Sequence, residues 1–445
     1  MGGDKMSDGN GFNVDALVEP DRVHRNCYAD NEVFEREIRQ IFHKAWIYVG
    51  HESQVPNTGD YATTVIGRQP VIMVRHQNRS IHVLYNRCPH RGAKLCANRA
   101  GNTGGNFTCS YHAWQFKLDG KVRHIPIQSG YDNTRFNLND PNSHMKPVAR
   151  MEVYRGFVFA SLSPTGPSLV DWLGTAIAGI DDMCDRAPEG EVEVVPTCFR
   201  MIQKSNWKIF LENQLDAVHP SVTHGSTGLA AQKVEKEMLA ETGNPPPLSY
   251  HYISAFAMEM DKWGALDVVG HPNGHCVLQG YMGLRPTDPD TLEYDAIMEK
   301  HYGPDRAKEI LDVNIHHLLV YPCLSIQSPL QQLRAVRPIS ANETLTEIWH
   351  FRLKGAPEPI YRRALDYFYL VNSPSTMINA DDLYNFRKCQ EGLESEGGDW
   401  VSFHRNAGQD LVEDGVATSV IGFSEIPMRN QFEAWRNYMQ AEGAL

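Results

Sequence analysis

The chain has 445 residues, more than one average domain, and a net charge of −12, which speaks against a nucleic acid partner. An apolar content of 42% is enough to build a core and excludes an intrinsically disordered chain. The nine cysteines show no repeated spacing, which fits reduced cytosolic thiols better than a disulfide framework. No run of about 18 apolar residues offers a membrane span, so a cytoplasmic protein is expected.

The first residues, MGGDKMSDGNG, are polar, carry no signal-peptide pattern and are expected to be disordered. Met6 stands where a myristoylation signal needs Ser or Thr. Residues 31–45 place Val33, Phe34, Ile38, Ile41 and Phe42 on one helical face, which predicts a helix. We expect residues 1–45 to form an N-terminal segment whose helix packs on the larger, C-terminal domain. From Trp46 the texture changes to short β-rich runs (TTVIG, PVIMVRH, IHVLYN and GFVFASL) separated by Asn, Gly, Asp and Pro. SPTGPS at 163–168 reads as a linker, so a small all-β domain is expected over residues 46–165.

Within that segment stand Cys88, His90, Cys109 and His112, spaced C-x-H, eighteen residues, C-x2-H. Two thiolates and two imidazoles in this arrangement form the ligand set of a [2Fe–2S] cluster in which two His replace two Cys on one iron. A structural zinc uses the same donors, but its usual order pairs Cys with Cys and His with His. Pro89 and Gly92 suit tight turns, and Arg91, Gly92, Ser110 and Tyr111 offer donors near sulfur that would tune such a cluster. A cluster of this kind passes one electron at a time, so an acceptor is needed. The chain has no G-x-G-x-x-G or P-loop motif, so electrons are expected to arrive through a separate protein.

Residues 166–445 mix both element types. Strands are predicted near 191–203, 250–260, 276–284, 317–327, 331–338 and 344–354. Helices are predicted near 204–218, 292–313, 357–372 and 382–394. Together these predict an antiparallel sheet with helices on one side, making the whole chain α+β. The segment NWKIFLENQLDAVHPSVTH ends in His219 and His224. Asp216 and His219 would share a helical face, and Pro220 would end that helix and let both histidines converge. Two His and one carboxylate with open positions is the ligand set of oxygen-activating non-haem iron. The carboxylate could be Asp216, or Asp381 or Asp382 in NADDLYNFRKCQEGL; the plainer role for the latter two is to cap a helix.

Together these constellations resemble the catalytic α subunit of Rieske-type non-haem iron, aromatic-ring-hydroxylating oxygenases over nearly the whole chain. CPHRGAKLC and CSYHAWQFKLDG are similar to that family's cluster loops, with Ala113 where Gly is usual. ENQLDAVHPSVTH is similar to its iron motif and maps onto Asn213, Asp216, His219 and His224, and DDLYNF to its third-ligand segment. The resemblance implies a Rieske β domain, a helix-grip catalytic domain, a [2Fe–2S] Rieske cluster held by Cys88, His90, Cys109 and His112, and mononuclear Fe(II) held by His219, His224 and Asp382, with Asp381 the close second. It implies catalytic roles for Asp216 and Asn213. Asp216 would bridge His219 of its own chain to His112 of a neighbour in a head-to-tail homotrimer, with or without a small β subunit. A reductase fed by NAD(P)H, and in some systems a ferredoxin, would supply electrons.

The resemblance implies a terminal oxygenase that uses O2 to dihydroxylate an aromatic compound. A monooxygenase or O-demethylase, or an electron carrier with an inert second domain, are the alternatives. Leu229, Phe256, Met258, Leu278, Leu318, Val320, Ile326 and Leu333 are candidate pocket residues. Arg334 and Arg337 fall on opposite faces of a strand; a surface salt bridge is the expectation for them, though one could bind the carboxylate of an aromatic acid.

Overall fold

The computed structural model describes residues 13–243 and 247–441, so the polar N-terminal stretch expected to be disordered lies outside the described residues. The amphipathic N-terminal segment forms helix α1, Asn31–Glu37, capped by the Asp30 carboxylate and continued as a π turn over Ile38–Phe42. All five apolar residues of its predicted face are buried. This segment lies on the C-terminal half of the chain: a short strand at Arg22–His24 pairs with Trp400–Ser402.

The β-rich segment holds ten strands in three antiparallel sheets. Strands β1 (Ile47–His51), β9 (Arg150–Tyr154) and β10 (Phe157–Ser161) form one sheet. Strands β2 (Asp60–Ile66), β3 (Gln69–Arg75), β4 (Ile81–Tyr85) and β5 (Ala100–Asn102) form a second, in the order β4-β3-β2-β5. Strands β6 (Asn106–Thr108), β7 (Gln115–Lys117) and β8 (Val122–His124) form a third. Two cores result. A small one gathers Ile72, Leu84, Cys88, Cys109, Trp114 and Phe116, while the β1–β9–β10 sheet belongs to the main core with the C-terminal half.

The C-terminal half is built on one nine-stranded antiparallel sheet. Its strands are β11 (Val192–Gln203), β12 (Asp267–Gly270), β13 (Cys276–Gly280), β14 (Ile315–Val320), β15 (Leu324–Gln327), β16 (Gln332–Ser340), β17 (Glu343–Leu353), β18 (Leu411–Glu413) and β19 (Val416–Ser419). They lie in the order β11-β17-β16-β15-β14-β13-β12-β19-β18. Side chains alternate between two faces, and helices pack on both of them rather than on one side only. On one, Leu318 meets Gly179 of helix α2 (Ala178–Asp185), and Phe351 stacks on Phe157 of β10. On the other, Phe199 and His350 stack against Phe368.

Several predicted elements are corrected. The predicted helix 204–218 ends early: α3 spans Trp207–Asn213, and a new short helix α4 runs His219–Thr223. Between them the Asp216 carboxylate accepts the backbone N–H groups of Val218 and His219, a local turn that competes with the helix. Pro220 stands in the first turn of α4 rather than ending a helix, a place where its missing N–H costs nothing. Helix α5, Gly225–Thr242, follows at once. The predicted strand 250–260 is helical instead, α6 at Leu248–Ser254 and one 3-10 turn beyond. Ile253 packs with Ala231 of α5, and at Gly228 the helices approach so closely that a Cβ would lie 2.4 Å from the Ala257 nitrogen. The long helix 292–313 is two, Pro289–Tyr302 and Pro304–Asp312, split by Gly303 at φ 81°. The strand 317–327 is also two, with a turn at Tyr321–Cys323. Three longer helices follow: α7 (Glu358–Asn372), α8 (Met377–Leu393) and α9 (Ile426–Gln440).

Candidate metal centres

Two loops of equivalent geometry bring Cys88, His90, Cys109 and His112 together. In each, the Cys N–H donates to the carbonyl five residues on, Cys88 to Ala93 and Cys109 to Trp114, both at 2.8 Å. In each, the Cys carbonyl accepts from the residue four on, Gly92 or Ala113, at 2.9 Å. Both of those residues sit at positive φ, 75° and 55°. The two thiols touch, and the His90 and His112 rings stand 4.7 Å apart between centroids. His90 stacks flat on Trp114 at 4.9 Å. Backbone N–H groups of His90 and Arg91 point at the Cys88 sulfur, whereas Gly92 bonds a carbonyl instead. Burial pushes the Cys88 thiol up to about 11. His112 Nδ1 is buried without a hydrogen-bond partner. A buried donor nitrogen beside two buried thiols and a second imidazole is what a half-thiolate, half-imidazole iron–sulfur cluster requires.

The second group lies on α4, the α4–α5 junction and α8. His219 opens α4, and His224 sits at the kink where α4 passes into α5, which turns both rings to one side. Their centroids are 5.6 Å apart. On α8 the residues Ile378, Asp382, Phe386 and Gln390 recur every fourth position, and all but Asp382 are buried. That stripe aims Asp382 inward: its Oδ1 lies 3.1 Å from His224 Nε2 and 3.5 Å from Asn213 Nδ2. Asp381, one residue off the stripe, is 3.8 Å from His224 Nδ1 and 40% exposed. Neither aspartate caps α8, which begins at Met377 with Thr376 at its N-cap. Ligand atoms of His219, His224 and Asp382 all lie within 4.8 Å of one another, a group that could hold a metal ion. Asp216 stands beside it, its Oδ2 3.3 Å from His219 Nδ1. Burial opposes ionisation of Asp216. The bonds from the His219 ring and from the N–H groups of Val218 and His219 outweigh it and hold this carboxyl below its usual value.

A large cleft opens on this group, bounded by the sheet face that carries Leu278, His317, Gln327, Arg334 and Ile348 and by α7. Of the candidate pocket residues, Phe256 and Leu278 line it. Leu318, Val320, Ile326 and Leu333 are core on the opposite sheet face, one strand residue out of phase, and Leu229 is exposed. His317 and Gln327, which do line the cleft, were not singled out, although strand alternation marks them once the face is known. Arg334 and Arg337 do lie on opposite faces, but neither is a surface residue. Arg337 is 3.4 Å from Glu347 and donates to the Tyr48 carbonyl at 2.8 Å. Among the described residues no helix is long and apolar enough to cross a membrane.

Comparisons with known proteins agree with this geometry. Residues 45–137 match the Rieske [2Fe-2S] domain, and residues 189–441 match the ring hydroxylating alpha subunit (catalytic domain). The chain is 34% identical to the toluate 1,2-dioxygenase subunit alpha of Pseudomonas putida, over 86% of this chain and 83% of that protein. It is 33% identical to the anthranilate 1,2-dioxygenase large subunit of Acinetobacter baylyi, over 86% and 80%. A solved naphthalene 1,2-dioxygenase with indole in the active site superposes with a TM-score of 0.79 at 26% identity, covering 96% of this chain and 94% of that one. A Rieske cluster and a mononuclear iron are the cofactors this pair of domains carries. With two matched domains, the donor groups in each and relatives alike over most of their length, the chain belongs to the ring-hydroxylating dioxygenase alpha subunits, a family of Rieske non-haem iron oxygenases.

Proposed function

We propose that this chain is the terminal oxygenase subunit that adds both atoms of O2 to an aromatic ring, using two electrons from a separate reductase, directly or through a ferredoxin, and two protons. In this reading Cys88, His90, Cys109 and His112 hold the cluster, and His219, His224 and Asp382 hold the iron. The convergence of those last three residues at the wall of a large cleft is the observation that carries it. When bound, the cluster relays single electrons and the iron supplies open positions for O2 beside the ring.

The chain's own residues do the positioning. Asp216 fixes the orientation of the His219 ring and its protonation at Nδ1, which leaves Nε2 for metal. Asn213 donates to Asp382 and is itself held by Gln214 at 3.1 Å. The apolar cleft wall keeps water from the ring. Tyr111, beside His112, is 61% exposed, which supports electron exit at the surface toward the partner subunit's Asp216 in a head-to-tail trimer. The same reading assigns residues 1–45 as an N-terminal segment, 46–165 as the Rieske domain and 166–445 as the catalytic domain, and places the protein in the cytoplasm, with no disulfide among its cysteines.

The test is metal analysis with labelled O2. Wild type should hold three irons per chain and put two labelled oxygen atoms into one product. His219→Ala should keep the cluster's visible absorption, drop to two irons and make no product. One labelled atom would make the enzyme a monooxygenase, and joint loss of cluster and iron would refute two separate centres.

A further inference from the structure

Four arginines line the cleft: Arg186, Arg285, Arg334 and Arg363. Three have an acid of their own. Arg186 pairs with Asp182 at 3.1 Å, Arg363 with Asp288 at 3.4 Å, and Arg285 with Asp295. Arg334 has no carboxylate partner among the described residues. Its two visible bonds go to neutral amides, Nη1 to Gln214 Oε1 and Nη2 to Asn372 Oδ1 at 3.0 Å. Asn372 is in turn locked by Gln332 at 2.7 Å and the Phe368 carbonyl at 3.0 Å. The amides aim the guanidinium without neutralising it and leave three of its five donors unused.

A buried, unpaired charge is costly, and a fold keeps one only where a counter-charge arrives. Asp382 is near enough to be felt by Arg334 but does not pair with it, and its charge is committed to the proposed iron site. Counting a divalent iron, Arg334, Asp382 and Asp216, the cleft retains one positive charge. Burial pulls Arg334 down to about 10, so it remains protonated at neutral pH. The surrounding wall, with Leu278, Ile348, Tyr367 and Val371, is apolar and suits a flat ring.

We propose that Arg334 is the anchor for the acid group of an aromatic carboxylate, and that the ring is thereby laid against the His219–His224–Asp382 group. A planar carboxylate matches the guanidinium fork through two parallel bonds. This assignment rests on the ring-hydroxylation reading above and names its substrate class.

Calorimetric titration of the holoenzyme with benzoate, benzamide and toluene tests it, alongside turnover of each. Wild type should bind benzoate at least about 100-fold more tightly than benzamide, because a site built for one polar partner rejects the analogue that leaves it unpaired. Arg334→Gln should abolish that preference with cluster and iron content unchanged, and Arg334→Lys should retain part of it. Benzoate binding unaltered in Arg334→Gln, or no preference for benzoate in wild type, overturns the proposal. Should Arg334→Gln fail to fold, the wild-type preference and Arg334→Lys still decide. Toluene hydroxylated by an enzyme that ignores benzoate would refute the anchor and leave ring hydroxylation standing. Benzoate held through Arg334 with no oxygen inserted into any ring would refute the parent reading alone.

Discussion

At the scale of single residues, the two cluster loops make a controlled comparison. They close with the same backbone bonds, and the residue four beyond each cysteine takes positive φ, as Gly92 in one and Ala113 in the other. A left-handed conformation costs an L-residue about 1–2 kcal/mol, part of which glycine returns through the freedom it loses on folding. Ala113→Gly should therefore stabilise the loop by about 0.5–1 kcal/mol, seen as a higher midpoint for thermal loss of the cluster's visible absorption. Gly92→Ala should do the reverse by backbone strain alone, since its Cβ would meet only the Arg87 side chain at 3.5 Å. The departure from the family pattern was legible in the sequence, but its cost was not, because φ is not written in residue identity. Asp382 was closer to legible: the four-residue spacing of Ile378, Asp382, Phe386 and Gln390 separates it from Asp381 by about 100° of helix.

At the scale of elements, periodicity identified α1 and most of the large sheet. It failed where side chains compete with the backbone or where helices touch through glycine. The turn at Asp216 and the α5–α6 contact at Gly228 are of this kind. The link between α1 and α3 was also invisible, because it joins distant residues through polar groups. Glu37, fully buried, accepts the indole N–H of Trp207 at 2.8 Å and of Trp435 at 2.7 Å and pairs with Lys208. One carboxylate thus ties α1, α3 and α9 together behind the helix that leads to Asn213. Glu37→Ala would strand the Lys208 ammonium and two indole donors, and should cost about 3–5 kcal/mol in urea unfolding. Glu37→Leu combined with Lys208→Met removes both charges and should recover most of that loss. A double variant no more stable than Glu37→Ala would mean that the indole bonds, not the ion pair, carry the junction.

At the scale of the whole molecule, the issue is where an electron leaves one centre and enters the other. The His112 loop belongs to the small core and the Asp216 loop to the edge of the cleft, and no hydrogen bond joins them within the chain among the described residues. Both loops reach the surface: Tyr111 is largely exposed, and about a fifth of the Asp216 and His219 side chains is accessible. A route between subunits predicts complementation. Cys109→Ser removes the cluster but leaves Asp216, and Asp216→Asn removes the proposed bridge but leaves the cluster, so each variant alone should be inactive. In a head-to-tail trimer containing both, whether two-to-one or one-to-two, there is one junction where an intact cluster faces an intact Asp216. Co-expressed, doubly tagged hybrids should therefore recover about one third of wild-type product formation per trimer. Transfer within a chain predicts none, since every chain in the hybrid then lacks either its donor or its bridge.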